Sequence, residues 1–208
     1  MTWRRQLLYL ADRMQVRLQP VLQHSQLAER TWVRVIDSIV ARQTDRSYFR
    51  RTILPAIPAG GFRKALFVGV RGYTRSYERW FREAGIEFWT SDIDPAAQRY
   101  GAKGRHAVAD VRDLDQTFLP GSFDLVILNG VFGWGVNEPQ GMQQTLRAIA
   151  HVLQPNGMLL VGWNHDRSPD PTDMAMLENF EVAAPGGLPA RKAFPDVTHV
   201  YSWYRRRL

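Results

Sequence analysis

The octapeptide FDLVILNG, residues 123–130, is apolar at almost every position up to Asn129. A strand with one solvated face alternates apolar and polar residues; a near-continuous run is expected where helices cover both faces of a sheet. The chain around it keeps to that plan. From residue 65 onward, strand-length apolar runs alternate with helical patterns, the sequence form of a parallel sheet with crossover helices. ALFVGV (65–70) is the first predicted strand. In TRSYERWFREAG (74–85), Tyr77, Trp80, Phe81 and Ala84 share one helical face and Gly85 ends the helix. IEFWTSDIDP (86–95) is a strand with its turn, AAQRYGA (96–102) a short helix and RHAVADV (105–111) a third strand. Met142, Leu146, Ile149 and Leu153 place an apolar stripe on a helix that QPNG (154–157) terminates before the strand MLLVGW (158–163). VTHVYSWYRRR (197–207) alternates as a final strand.

The first sixty residues have a different character. Trp3, Leu7, Leu10, Met14 and Leu18 recur at helical spacing, a second helical stretch covers 26–42, and LPAIPAGGF (54–62) has the prolines and glycines of a linker. The expected division is therefore a helical segment over 1–58, acting as a lid, a packing element or a dimerisation element, and an α/β domain over 59–208. Ten arginines against four acids in residues 1–60 hold most of the net charge of +7. Interspersed acids make a solvated face the simpler reading, with a membrane surface, an anionic substrate or nucleic acid as the functional alternatives.

No apolar run approaches the ~20 residues of a membrane span, and Asp12, Arg13 and Arg17 interrupt any secretion signal. The chain has no cysteine, which excludes disulfides, thiolate metal sites and cysteine nucleophiles and fits a reducing compartment; the expected location is cytoplasmic.

In open α/β sheets, ligands bind beyond the carboxyl ends of the strands, and a glycine turn after the first strand lets backbone approach the ligand. Gly69 and Gly72, flanking Val70 and Arg71, stand there. Asp92 ends the second strand, about 20 residues on, where a carboxylate accepts ribose hydroxyls. Asp110 follows the third strand, on the adenine side of such a crevice.

These positions together resemble the class I S-adenosylmethionine-dependent methyltransferases from about residue 60 to the end. FVGVRGYT is similar to the family's first motif, SDIDP to its ribose-binding acid, VADVRDL to its adenine-side loop and SFDLVILNGVFGWG to its fourth motif. TLRAIAHVLQPNGMLLVGW is similar to the helix, turn and fifth strand that follow. The resemblance implies a Rossmann-like, doubly wound, mostly parallel sheet with a terminal antiparallel strand. It also implies S-adenosylmethionine as cofactor, held by Gly69, Val70, Arg71, Gly72, Asp92, Ile93, Asp110, Val111, Asn129 and Gly130, and no metal. The first motif departs from the family pattern: Phe67 stands at its acid, and Arg71 and Tyr73 at its second and third glycines, so the cofactor's amino group is held differently. The G-x-G-x-x-G of nicotinamide-dependent dehydrogenases is absent.

The loop NGVFGWG (129–135) keeps Asn129 but lacks the prolines of methyltransferases acting on nucleobase amines, so nucleic acid is not the expected acceptor. Phe132 and Trp134 are read as an apolar wall for a small substrate or as a cap on the core. Of His24, His106, His151, His165 and His199, His165 follows the fifth strand at the ligand end and is the candidate base; His199 reads as structural. The expected reaction is methyl transfer to a small-molecule, sugar or glycan acceptor at oxygen. The alternatives are a non-catalytic nucleoside-binding module and a membrane- or nucleic-acid-associated enzyme.

Overall fold

In the computed structural model, Thr31, Val35 and residues 43–173 and 178–208 are described. The helical patterns over 3–18 and 26–42, and the lid, dimer and membrane-surface roles expected of them, fall outside those residues, apart from Thr31 and Val35, which are both helical. The chain divides into two units, Met1–Gln43 and Thr44–Leu208. Among the described residues, no helix is long and apolar enough to cross a membrane.

One eight-stranded sheet organises the second unit. Its strands are β1 (Lys64–Val68), β2 (Glu87–Asp92), β3 (His106–Val108), β4 (Phe123–Asn129), β5 (Leu153–Asn164), β6 (Phe180–Val182), β7 (Arg191–Ala193) and β8 (His199–Arg206). Their order is β3-β2-β1-β4-β5-β8-β6, with β7 also on β8. Strands β1 to β5 pair in parallel, whereas β8 is antiparallel to β5. The sheet is thus the expected Rossmann-like one with a terminal antiparallel strand. Strands β6 and β7 lie end to end on the outer edge of β8, pairing with Tyr204–Arg206 and Val200–Ser202. Each is three residues long, so neither carries a readable alternation.

All seven residues of β4 are buried, as its apolar run requires. One face of the sheet is covered by α5 (Pro139–Val152) through Met142, Leu146 and Ile149. That helix stops at Val152, and Leu153, expected on it, begins β5 and pairs with Phe123. The other face packs Phe67, Ile127, Leu160 and Tyr201 against Phe49, Ile53, Leu54 and Ile57. These last four belong to a continuous helical path: α1 (Thr44–Tyr48), a π-helical turn (Phe49–Ile53), α2 (Leu54–Ala56) and a 3-10 turn (Ile57–Gly60). The stretch 54–62, read as a linker, is therefore largely folded, with its prolines in the first turns of short helical pieces, where a missing N–H costs nothing. The first crossover is also tighter than its pattern, with a 3-10 turn over Gly72–Tyr77 before α3 (Glu78–Glu83), and Gly85 follows at φ 71°. A further short helix, α4 (Leu114–Thr117), precedes β4.

Candidate functional site

The strand order reverses between β1 and β4, the place where an open α/β sheet leaves a crevice beyond its carboxyl edge. Gly69 leaves β1 there at φ 92°, and a Cβ on it would lie 2.7 Å from the Asn129 carbonyl oxygen. Only glycine allows both the left-handed turn and that approach. Gly72 stands at no positive φ; it opens the 3-10 turn, in which Thr74 Oγ1 accepts from the Arg71 N–H at 3.0 Å. Val70 between them is buried.

Asp92 ends β2 with a buried carboxylate. Oδ1 accepts from the Asp94 N–H at 2.9 Å, and Oδ2 accepts from Arg71 Nη1 at 2.9 Å. The same Nη1 donates to the Val70 carbonyl at 2.7 Å. Arg71 thus occupies the acid at which a ribose is expected from the sequence. Its side chain is 45% exposed, so solvent competes for the guanidinium. Next to Asp92, Ile93 is 64% exposed, an uncovered apolar side chain just past the end of β2. Asp110 caps the turn Val111–Asp113 by accepting from the Arg112 N–H and is clasped by the Arg112 guanidinium, whose hydrogen bonds hold its pKa below the usual carboxylate range. Val111 is buried beneath it. This set fits a nucleoside: a buried carboxylate for a diol, an exposed apolar residue for the ring, a second acid beyond, and backbone open to approach.

Asn129 and Gly130 end β4; Gly130 takes φ 74° and its N–H donates to the Gly162 carbonyl. Phe132 is core, whereas Trp134 is 42% exposed, stacked under Arg167 at 3.9 Å and donating from Nε1 to Asn164 Oδ1 at 3.1 Å. His165 is exposed on the turn after β5, and its N–H donates to the Thr198 carbonyl.

A second group meets the same edge and escaped the sequence reading. Because β8 runs antiparallel, its first residue, His199, lies at the ligand edge, opposite Asn164. His199 and Tyr201 are buried, as is Asp45 of α1. Arg46 donates to Asn129 Oδ1 at 3.4 Å, lies 3.6 Å from Asp45 and faces the Tyr73 ring. Burial opposes the Arg46 charge, but Tyr73, Asp45, Tyr201 and Tyr77 outweigh it and hold the guanidinium protonated. Burial raises the Tyr201 phenol well above its ordinary pKa. Burial first, then Arg46, holds the His199 ring well below the ordinary histidine pKa, so the imidazole is neutral.

Residues 68–161 match the family described as methyltransferase domain. No curated protein matches the sequence. Among solved structures, the N-methyltransferase NodS from Bradyrhizobium japonicum WM9 superposes with a TM-score of 0.59 at 15% identity, over 79% of this chain and 97% of that one. The 1,6-didemethyltoxoflavin-N1-methyltransferase from Burkholderia thailandensis, crystallised with 1,6-didemethyltoxoflavin and S-adenosylhomocysteine, gives 0.53 at 18% identity, over 86% and 90%. A TehB-like S-adenosylmethionine-dependent methyltransferase from Corynebacterium glutamicum gives 0.54 at 19%, over 78% and 94%. At such identities the likeness is one of fold.

Proposed function

Since residues 68–161 match the methyltransferase-domain family, we propose that this chain is a class I S-adenosylmethionine-dependent methyltransferase that transfers a methyl group to a hydroxyl of a small-molecule, sugar or glycan acceptor. The observation that carries the reading is the buried Asp92 carboxylate at the carboxyl end of β2, beside the left-handed turn at Gly69. In this reading Asp92 accepts the ribose hydroxyls in exchange for the Arg71 guanidinium, Ile93 packs on the adenine and Asp110 accepts from its amino group. Backbone at Gly69, Val70, Gly72, Val111, Asn129 and Gly130 lines the crevice, and Arg71, released from Asp92, is a cation for the carboxylate end of the cofactor.

S-adenosylmethionine, when bound, supplies a methyl group on a positively charged sulfur, already a ready electrophile. What remains for the protein is alignment, worth up to ~7–11 kcal/mol, and the exclusion of water. The oxygen assignment draws on the loop after β4, where Gly130, Val131 and Phe132 replace the prolines typical of nucleobase amine methylation. One observation favours a second reading, a non-catalytic module: Arg71 occupies Asp92.

A single assay separates them. S-adenosylhomocysteine release is followed with matched hydroxyl and amine acceptors and with the small-molecule fraction of a cell extract. Release that depends on hydroxyl acceptors is expected. Transfer to amines alone overturns the oxygen assignment, and cofactor binding with no acceptor-dependent release puts the non-catalytic module in its place.

A further inference from the structure

His199 Nε2 is buried and has no hydrogen-bond partner among the described residues; Asp45 Oδ1 and Tyr201 Oη are in the same condition. All three belong to the group at the carboxyl edge, so the polar cap of this sheet face presents three desolvated atoms that no described residue completes. Leaving such an atom unpaired costs about 1–3 kcal/mol. Native folds leave few such atoms, and a catalytic role is one of the causes that retain them, beside ordered water and ions.

The direction of the His199 lone pair follows from its neighbours. An indole N–H can only donate, so the Asn164 atom that Trp134 Nε1 reaches at 3.1 Å is the amide oxygen. Asn164 Nδ2 correspondingly donates to Thr198 Oγ1 at 3.0 Å. His199 Nδ1 lies 3.3 Å from that same oxygen, so Nδ1 carries the proton. A neutral ring protonated on Nδ1 bears its free lone pair on Nε2.

Nε2 itself lies beside Gly162, at the carboxyl edge of the sheet. A Cβ built on Gly162 would lie 2.8 Å from His199 Nε2 and would collide with Asn129 Oδ1, so both atoms pack directly against the Gly162 backbone. Asn129 pairs with Gly162 in register and stacks its carbonyl under Gly69. The glycine turn, Asn129, Gly162 and His199 thus follow one another along adjacent strands β1, β4, β5 and β8.

We propose that His199 is the general base of this enzyme, taking the proton of the acceptor hydroxyl on Nε2, and that Trp134, acting through Asn164, is the positioning residue that fixes its tautomer. The proposal rests on the methyl-transfer reading above. As the acceptor oxygen gives its proton to Nε2, its electron pair forms the bond to the methyl carbon; the carbon–sulfur bond breaks with its pair left on sulfur. The imidazolium then returns its proton to solvent. Among the described residues, Arg46 and Asp45 on α1, Tyr73 and Tyr77 on the 3-10 turn and Tyr201 on β8 are the charged and titratable groups around this cluster. Of these, Arg46 repels the imidazolium and keeps the base available. Activity therefore rises with pH through a midpoint below the ordinary histidine value of about 6.5.

The test is a nitrogen-15 NMR measurement of the His199 ring in the full chain, with Trp134→Phe alongside, followed by turnover of His199→Asn and His199→Gln. At pH 7 the expected ring is neutral with Nδ1 protonated, and Trp134→Phe loses the single tautomer. An Nε2-protonated ring or an imidazolium overturns the proposal without any acceptor being known. His199→Asn keeps a donor for Asn164 and is expected to bind S-adenosylmethionine as wild type does. Its turnover falls about 10²–10⁴-fold and the acid limb of the pH profile disappears. Turnover within about tenfold of wild type, with the acid limb intact, overturns the base role. Failure of the methyl-transfer reading shows separately, as wild-type protein that binds no S-adenosylmethionine.

Discussion

At residue 162 the smallest side chain is a requirement of the neighbours: any Cβ there meets Asn129 Oδ1 and His199 Nε2. Both of those side chains are held elsewhere, Asn129 by Arg46 and His199 by Asn164, so neither yields freely. Gly162→Ala is therefore overpacked, and a loss of about 1–3 kcal/mol of stability is expected, read from the urea midpoint at unchanged slope. An unchanged midpoint would mean that Asn129 and His199 yield freely to a methyl group at 162. Position 162 was legible in the sequence only as part of a strand. Its meaning depends on Asn129 and His199, which lie far off in the chain and become neighbours through sheet register. Gly69 and Asp92 were legible because a glycine turn and an acid recur at a spacing that the βαβ unit imposes on any chain. Arg71 was visible as a departure from that pattern, but its ion pair with Asp92 needed the geometry of the turn.

Among the elements, β1 and β4 are tied at their amino ends by one side chain. The buried Asp124 carboxylate accepts from the N–H groups of Arg63 at 2.7 Å and Lys64 at 3.0 Å. Truncating it leaves two backbone donors beside the first strand short of a charged acceptor. Asp124→Ala should cost about 2–3 kcal/mol, with Asp124→Asn recovering part of it, in equilibrium denaturation; a neutral Asp124→Ala would show that water serves these donors equally well. Strand β4 itself was plain in the sequence because a strand covered on both faces needs little but apolar residues. The end of the path from 44 to 60 is not legible as helix in the sequence, because prolines and glycines are the common punctuation of linkers. Here the prolines sit in the opening turns of helical pieces that bury Leu54 and Ile57. Strands β6 and β7 exist through their pairing with β8 and had no periodic signal of their own.

Over the whole molecule, topology decides which distant residues share the site. Parallel strands deliver Gly69, Asp92, Asn129 and Asn164 to one edge by their ends; the antiparallel β8 delivers His199 by its beginning. His165, which follows the fifth strand, is exposed, whereas His199 is buried at the same edge, and its alternation with Tyr201 and Trp203 reads in the sequence equally well as a half-buried edge. The central claim is that the carboxyl edge around Asp92 is a cofactor site that Arg71 holds until the cofactor arrives. Calorimetric titration of folded, cofactor-free protein with S-adenosylmethionine, and with S-adenosylhomocysteine in a separate run, tests it most directly, with Asp92→Ala measured in parallel. Loss of two charge-assisted hydrogen bonds predicts binding weakened by about 100-fold or more in Asp92→Ala, against saturable binding by wild type. Wild-type affinity in the variant, or no binding by the folded wild type, would contradict the account.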